Sequence, residues 1–182
     1  MAIVINSKTK LTYEDYALLP DDGKIHEIIE GEHYMTPAPE TYHQTISRRI
    51  QFQLYTQIEE KGLGYVFDAP TDVQLSEIDI VQPDLLVIVE ERKSIISPSR
   101  IIGPPDLVIE ILSKSGQDKD RRLKLDLYQK ATVPEYWLVD PQSQTVHQYL
   151  LEKARYRESG QHHGDIRFDR IAGIRVDLRK VW

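Results

Sequence analysis

The sequence predicts an α/β fold: a mixed central sheet flanked by helices, with extra β-strands added toward the C-terminus. Three observations carry this. The runs PDLLVIVE (83–90) and PPDLVIEIL (104–112) are apolar on both strand faces, as in strands buried at the centre of a sheet. Two segments, Tyr42–Lys61 and Asp118–Ala131, instead repeat their apolar residues at helical spacing. After Pro141 the pattern turns to short alternating segments, TVHQYLL and KARYRES, joined near Leu151–Lys153. No linker or internal repeat divides the 182 residues, so the whole chain, 1–182, is expected to form one domain.

Taken in order, Thr12 is placed to cap a short helix with Asp15 three residues on, and Pro20 with Asp21–Gly23 ends it. IHEIIEGEHYM reads as a hairpin turning at Glu30–Gly31. Glu27 shares a face there with Ile25 and Ile29, and is either a site acid or a polar residue of an edge strand. Pro37–Pro39 form a loop. The helix Tyr42–Lys61 follows, with Ile46, Ile50, Leu54 and Ile58 four apart, terminated by Gly62 and Gly64. His43 at its start either hydrogen-bonds phosphate or substrate, or caps and packs. YVFDA and TDVQL read as strands, followed by a turn region before Asp84, and 90–105 as a connecting loop that includes one short apolar run.

The two central runs each carry an acid where none belongs. Asp84 opens the first strand behind Pro83, on the face of Leu86 and Ile88; Glu110 shares its face with Val108 and Leu112. Asp106, behind two prolines at the strand entrance, reads as a turn residue. A carboxylate inside an apolar run must be paired, protonated or bound to a metal. Ser113–Lys119 is a polar loop leading into the second helix. With Asp120 at zero, Leu123, Lys124, Leu127 and Ala131 fall at roughly −60°, +40°, −20° and +20°, and Tyr128 at about +80°. Lys124 is therefore on the core-facing side, where a lysine needs a partner, and Glu110 is the candidate. Asp120 caps or orients, and Tyr128 packs with its hydroxyl at the rim. A Glu110–Lys124 ion pair would be the purely structural reading. A second acid at Asp84, and Glu27 as a third, favour instead a hard-cation site with oxygen ligands.

Composition narrows the chemistry. With 40% apolar and 29% charged residues, the chain has an ordinary globular make-up. It has no cysteine, which excludes disulfides, thiolate zinc sites and cysteine nucleophiles. No run approaches the ~20 apolar residues of a membrane span, and MAIVINSKTK lacks a signal peptide's apolar core, so no membrane association and a cytoplasmic location are expected. Phosphate-cradling glycine loops, the nucleophile elbow and HExxH are absent. The net charge of −6 argues against a general nucleic-acid coat, but it is uneven: residues 1–90 hold 6 basic and 16 acidic groups, residues 91–130 hold 9 and 6. Tyr136 and Trp137 read as core before base-stacking surface, and the adjacent His162 and His163 as loop residues rather than a metal pair.

These motifs resemble a family. PD at Pro83–Asp84, LVIEILS at Leu107–Ser113, the spacing of Asp120, Lys124 and Tyr128, and VPEYWLVDP at Val133–Pro141 resemble the Uma-type endonucleases, a bacterial group of the PD-(D/E)xK nuclease superfamily. HEIIEGE at His26–Glu32 and His43 are similar to that family's hairpin and helix-opening histidine. The resemblance covers nearly the whole chain and weakens after about Leu151. It implies a restriction-endonuclease-like fold and divalent-metal-dependent hydrolysis of DNA phosphodiester bonds. Asp84 and Glu110 would hold Mg²⁺ or Mn²⁺, Glu27 would complete the shell, and His43, Asp120 and Tyr128 would lie beside the substrate. Leu112 stands where the superfamily's lysine usually follows, and the resemblance implies that Lys124 supplies it from the helix. A homodimer is expected, since two sites cut both strands in one encounter. Two alternatives stay open: a nuclease-like fold that binds nucleic acid or protein without turnover, and a metal-dependent hydrolase of another phosphate ester.

Overall fold

A computed structural model describes residues 10–113 and 117–182. In chain order the elements are α1 (Tyr13–Tyr16), β1 (Ile25–Ile29), β2 (Glu32–Thr36), α2 (Thr41–Ile58), β3 (Gly64–Asp68), β4 (Val73–Ser76), β5 (Asp79–Val81) and β6 (Leu85–Val89). They continue with β7 (Ile101–Ile102), β8 (Leu107–Ile111), α3 (Gln117–Lys130), β9 (Glu135–Asp140), β10 (Thr145–Glu152), β11 (Arg155–His162), β12 (Asp165–Arg167) and β13 (Arg175–Asp177). Among the described residues no helix is long and apolar enough to cross a membrane.

The central sheet has six strands in the order β11-β10-β9-β8-β6-β3. It is mixed: β8 runs parallel to β9 and antiparallel to β6. The apolar runs 83–90 and 104–112 thus occupy adjacent inner strands, which explains their two apolar faces. One face, with Leu85, Val87, Leu107 and Ile109, packs on Ile46, Ile50, Leu54 and Ile58 of α2. The other, with Leu86, Ile88 and Val108, packs on Leu127 and Tyr128 of α3. The two helices lie on opposite sides, as the periodicity predicts. Helix α2 stops at Ile58, three residues short of the predicted Lys61, because Gly62 (φ +66°) turns the chain and Leu63 N–H closes onto Ile58 C=O at 2.9 Å. Gly64 then pairs so closely with β6 that a Cβ would meet the Ile88 carbonyl oxygen at 2.4 Å.

Four features depart from the sequence reading. The β1–β2 hairpin turns at Glu30–Gly31 as expected, with φ of 53° and 80°, but it joins a second sheet of order β2-β1-β5-β4-β7. That sheet recruits β5 from the supposed turn before Asp84, and β7 from the supposed loop 90–105, whose residues Glu90–Ile95 form a 3₁₀ helix. These strands span only three and two residues, too few for periodicity to show. Second, only β10 and β11 extend the central sheet; β12 pairs with β13 as a separate ribbon. Its Ile166 and Val176 join the core on the α2 side. Third, Asp106 is no exposed turn residue. It is fully buried, accepting from Val89 N–H and Arg92 Nη1, both at 3.0 Å, with Arg170 at 3.3 Å. Fourth, Glu135 is buried as well, accepting from Trp137 Nε1 (2.6 Å), Gln148 Nε2 (2.7 Å) and Asp169 N–H (3.0 Å).

Candidate active site

Strand register brings the acids together. Leu85 pairs with Ile109, so one step outward Asp84 lies opposite Glu110 across two neighbouring strands. Like charges at facing positions are destabilising unless something offsets them. The Ile111 N–H donates to Asp84 Oδ2 at 2.8 Å, fixing that carboxylate at the sheet's end. Glu27 arrives from the second sheet. Pairing of Ile28 with Ile80 sets β1 beside β5, and the Gln82 N–H donates to Glu27 Oε1 at 3.0 Å.

Lys124 of α3 enters between the acids. Its ammonium donates to Glu110 Oε1 at 3.1 Å and makes a direct hydrogen bond to Glu27 Oε1. The core-facing angle and the Glu110 partnership are as the sequence predicts; the Glu27 partnership is additional. Tyr128, one turn on, is fully buried, and its hydroxyl donates to Glu110 Oε1 at 2.5 Å rather than standing at a rim. From α2, His43 Nε2 lies 3.1 Å from the Ile111 carbonyl oxygen and 3.2 Å from Asp84 Oδ2. A carbonyl only accepts, so this nitrogen carries the proton. Of the sequence-predicted set, Glu27, His43, Asp84, Glu110, Lys124 and Tyr128 therefore meet at one place. The side chain of Asp120 lies outside the described residues.

The electrostatics show an excess of negative charge. Burial raises the pKa of Glu110, the Lys124 ammonium opposes this, and the charges of Asp84 and Glu27 push it further up. For Lys124 burial works the other way, yet Glu110 and Glu27 outweigh it and hold the ammonium charged. His43 behaves similarly: burial disfavours its cation, but the bond to Asp84 overcomes this and raises its pKa. The Lys124 ammonium thus serves two carboxylates, Glu27 and Glu110, while His43 and the Ile111 amide hold the third, Asp84.

Donor chemistry suits a divalent cation. Each acid takes its described hydrogen bonds on one oxygen only: Oε1 of Glu27, Oδ2 of Asp84 and Oε1 of Glu110. The second oxygen of each has no hydrogen bond among the described residues, and hard cations favour such oxygens. Among the described residues, however, no three Asp, Glu or His side chains are drawn close enough to enclose a metal. Lys124 fills the space between Glu27 and Glu110.

All six side chains border a cavity of 530 Å³ except Tyr128, which lies behind Glu110. Two further polar atoms escaped the sequence reading. Tyr136, taken there as core, lines this cavity, and its buried hydroxyl has no hydrogen-bond partner among the described residues; the same holds for the buried His43 Nδ1. Nothing in a strand's alternation distinguishes a tyrosine packed by its ring from one whose hydroxyl borders a site. Arg121 on α3 also lines the cavity and donates to the Tyr149 hydroxyl at 3.4 Å.

The mixed central sheet with a helix on either face, and the acids at its end, define a restriction-endonuclease-like α/β protein. A solved structure with this fold is the one described as a putative nuclease belonging to DUF820 from Anabaena variabilis ATCC 29413. It superposes with a TM-score of 0.76 at 19% identity, over 94% of this chain and 97% of that one. No curated protein matches the sequence. The chain belongs to the Uma2 family, described as putative restriction endonuclease, whose sequence model matches residues 13–175.

Proposed function

We propose that this protein is a divalent-metal-dependent endonuclease hydrolysing DNA phosphodiester bonds. The observation that carries the reading is the cross-strand facing of Asp84 and Glu110 on a cavity's lining, with Lys124 bound between Glu110 and the third acid, Glu27. Family membership supports the nuclease class. Asp84 and Glu110 are the residues to hold Mg²⁺ or Mn²⁺, with Glu27 completing the shell directly or through water. Such an ion, when bound, polarises a phosphoryl oxygen and acidifies water.

The chain's own groups then divide the work. Hydrolysis adds the oxygen of water to phosphorus and breaks one ester P–O bond, leaving a phosphate monoester and a sugar hydroxyl. Lys124 orients the attacking water or stabilises the negative charge developing on phosphate oxygen. Glu27 and Tyr128 hold Lys124 and Glu110 in place from opposite sides. His43 ties Asp84 to the Ile111 carbonyl at the mouth of the sheet.

One observation favours a second reading: the Lys124 ammonium is already bound by two acids, and Leu112 stands at the usual lysine position. A nuclease-like fold that binds nucleic acid without cutting it would keep such a closed ion cluster. Incubating supercoiled and single-stranded DNA with Mg²⁺, Mn²⁺ or EDTA, beside Glu110→Ala, separates the two. Cleavage that needs metal and Glu110 supports the enzyme; DNA binding without any cleavage supports the binding module.

A further inference from the structure

The cavity beside the acids has a shape and charge that bear on substrate class, given the nuclease reading above. Asp84, Glu110 and Glu27 are recessed, with side chains only 12%, 15% and 8% exposed. A scissile phosphate must therefore come down to the floor of a 530 Å³ space. That volume falls in the range, roughly 300–1,000 Å³, in which pockets enclose one small-molecule-sized group. It admits a nucleotide, whereas the rigid outer surface of a duplex would rest across the mouth.

The walls are chosen for a base rather than a backbone. Met35, Pro37, Ala38, Pro39 and Tyr42 line the cavity from β2, the loop that follows and the start of α2, and Leu112 and Leu123 from the end of β8 and from α3. Met35 and Tyr42 are 53% and 43% exposed, an apolar side chain and an aromatic ring at the entrance of a catalytic cleft. Aromatic faces of this kind bind unpaired bases by stacking, with little regard to sequence. Among the described lining residues, Arg121 and Lys124 are the only lysine or arginine side chains, set against Glu27, Glu40, Asp84 and Glu110. Duplex binding relies on several cations neutralising successive phosphates. Among the described lining residues there is no such track for either form of DNA, so the apolar and aromatic walls, not the charge, favour an unpaired base.

We propose that the cleaved strand enters unpaired, with one base lodged in the cavity against Tyr42 and its phosphate delivered to Asp84 and Glu110. The substrate class is single-stranded DNA, or duplex DNA presenting an unpaired stretch. A single cut on one strand also removes the reason to require a dimer.

The test uses one sequence in three forms: single strand, perfect duplex, and duplex carrying a short single-stranded gap, each with Mn²⁺. The expected result is that kcat/KM for the single strand and the gap exceeds that for the duplex at least tenfold. Tyr42 is surface-exposed, so Tyr42→Ala should fold, and it should raise KM on single strands about tenfold with kcat within about threefold. A duplex cut as fast as the single strand, or an unchanged KM in Tyr42→Ala, overturns the proposal. If no form is cut with any metal, the nuclease reading fails, and fluorescence anisotropy of the same three DNAs then decides the pocket. Single-strand binding at least tenfold tighter than duplex binding sustains it; equal or tighter duplex binding overturns it.

Discussion

Lys124 and Glu110 are paired at 3.1 Å, but the same ammonium is also bound by Glu27, so the pair is not a closed neutral unit. That arrangement makes the two partners unequal. Removing the lysine leaves Glu27 and Glu110 recessed without the cation they share, and breaking a buried pair typically costs about 3–5 kcal/mol. Neutralising Glu110 instead leaves Lys124 with Glu27 and relieves repulsion from Asp84. In EDTA, urea unfolding should show Lys124→Ala destabilised by about 3–5 kcal/mol and Glu110→Gln within about 1 kcal/mol of the wild type, or above it. An equal, large loss in both variants would make the acids architecture.

Metal should stabilise the wild type and not the acid variants. A ligand bound only by the folded state adds about 2.7 kcal/mol at a hundredfold excess over its dissociation constant. Mg²⁺ or Mn²⁺ should therefore shift the wild-type urea midpoint upward and give calorimetric heat. Asp84→Ala and Glu110→Ala should each lose both signals. A wild type that shows neither at millimolar metal contradicts the enzyme reading.

The lysine's role separates from its stability effect in a cleavage assay. With metal present, Lys124→Ala should abolish cleavage while metal affinity stays within a few-fold, because the acids remain. Wild-type cleavage rates in that variant would assign Lys124 to the ion cluster alone.

What the sequence made legible follows from where the physical signal was local. Buried charges in the runs around Asp84 and Glu110 are anomalies visible within a few residues, and the helical angle of Lys124 needs only its own helix. The convergence of Asp84, Glu110 and Lys124 was therefore readable from the sequence. Strands β5 and β7 were not, because three and two residues leave no period to detect. Nor was the burial of Glu135: its cover comes from Gln148 and the Asp169 amide, 13 and 34 residues away. Asp106 escaped for a similar reason, since Arg92 and Arg170 reach it from distant segments.

His43 is expected to act by positioning. Its Nε2 hydrogen reaches both the Ile111 carbonyl and Asp84 Oδ2, so it holds an acid and a backbone acceptor in register. Groups that orient metal-binding acids are typically worth about 10–100-fold in affinity or activity. His43→Ala should lower both metal affinity and kcat/KM by about that factor. His43→Gln, which retains an N–H donor, should recover part of each; an Ala variant with unchanged metal affinity would remove His43 from this role.

Glu135 gives a pH dependence independent of the site. Burial raises its pKa from 4.5 to about 7, against the three donors that hold it. Below about pH 4.5 folded and unfolded states both carry the proton, and the contribution is fully present. As pH climbs toward 7 the unfolded chain releases its proton first, so stability falls; above about 7 the loss is complete. A rise from 4.5 to about 7 corresponds to about 3 kcal/mol lost over that window. Glu110 is raised in the same sense, so the measurement belongs in a Glu110→Gln background. There, urea unfolding between pH 4 and 8, about the span of the transition, should show the descending limb with Glu135 intact and a flattened one in Glu135→Gln. The amide of the variant faces the Asp169 N–H and lowers stability at every pH, so the slope and not the level is diagnostic. An unchanged slope would mean that Trp137, Gln148 and the Asp169 amide keep the buried carboxylate ionised across the whole window, with hydrogen bonding outweighing burial.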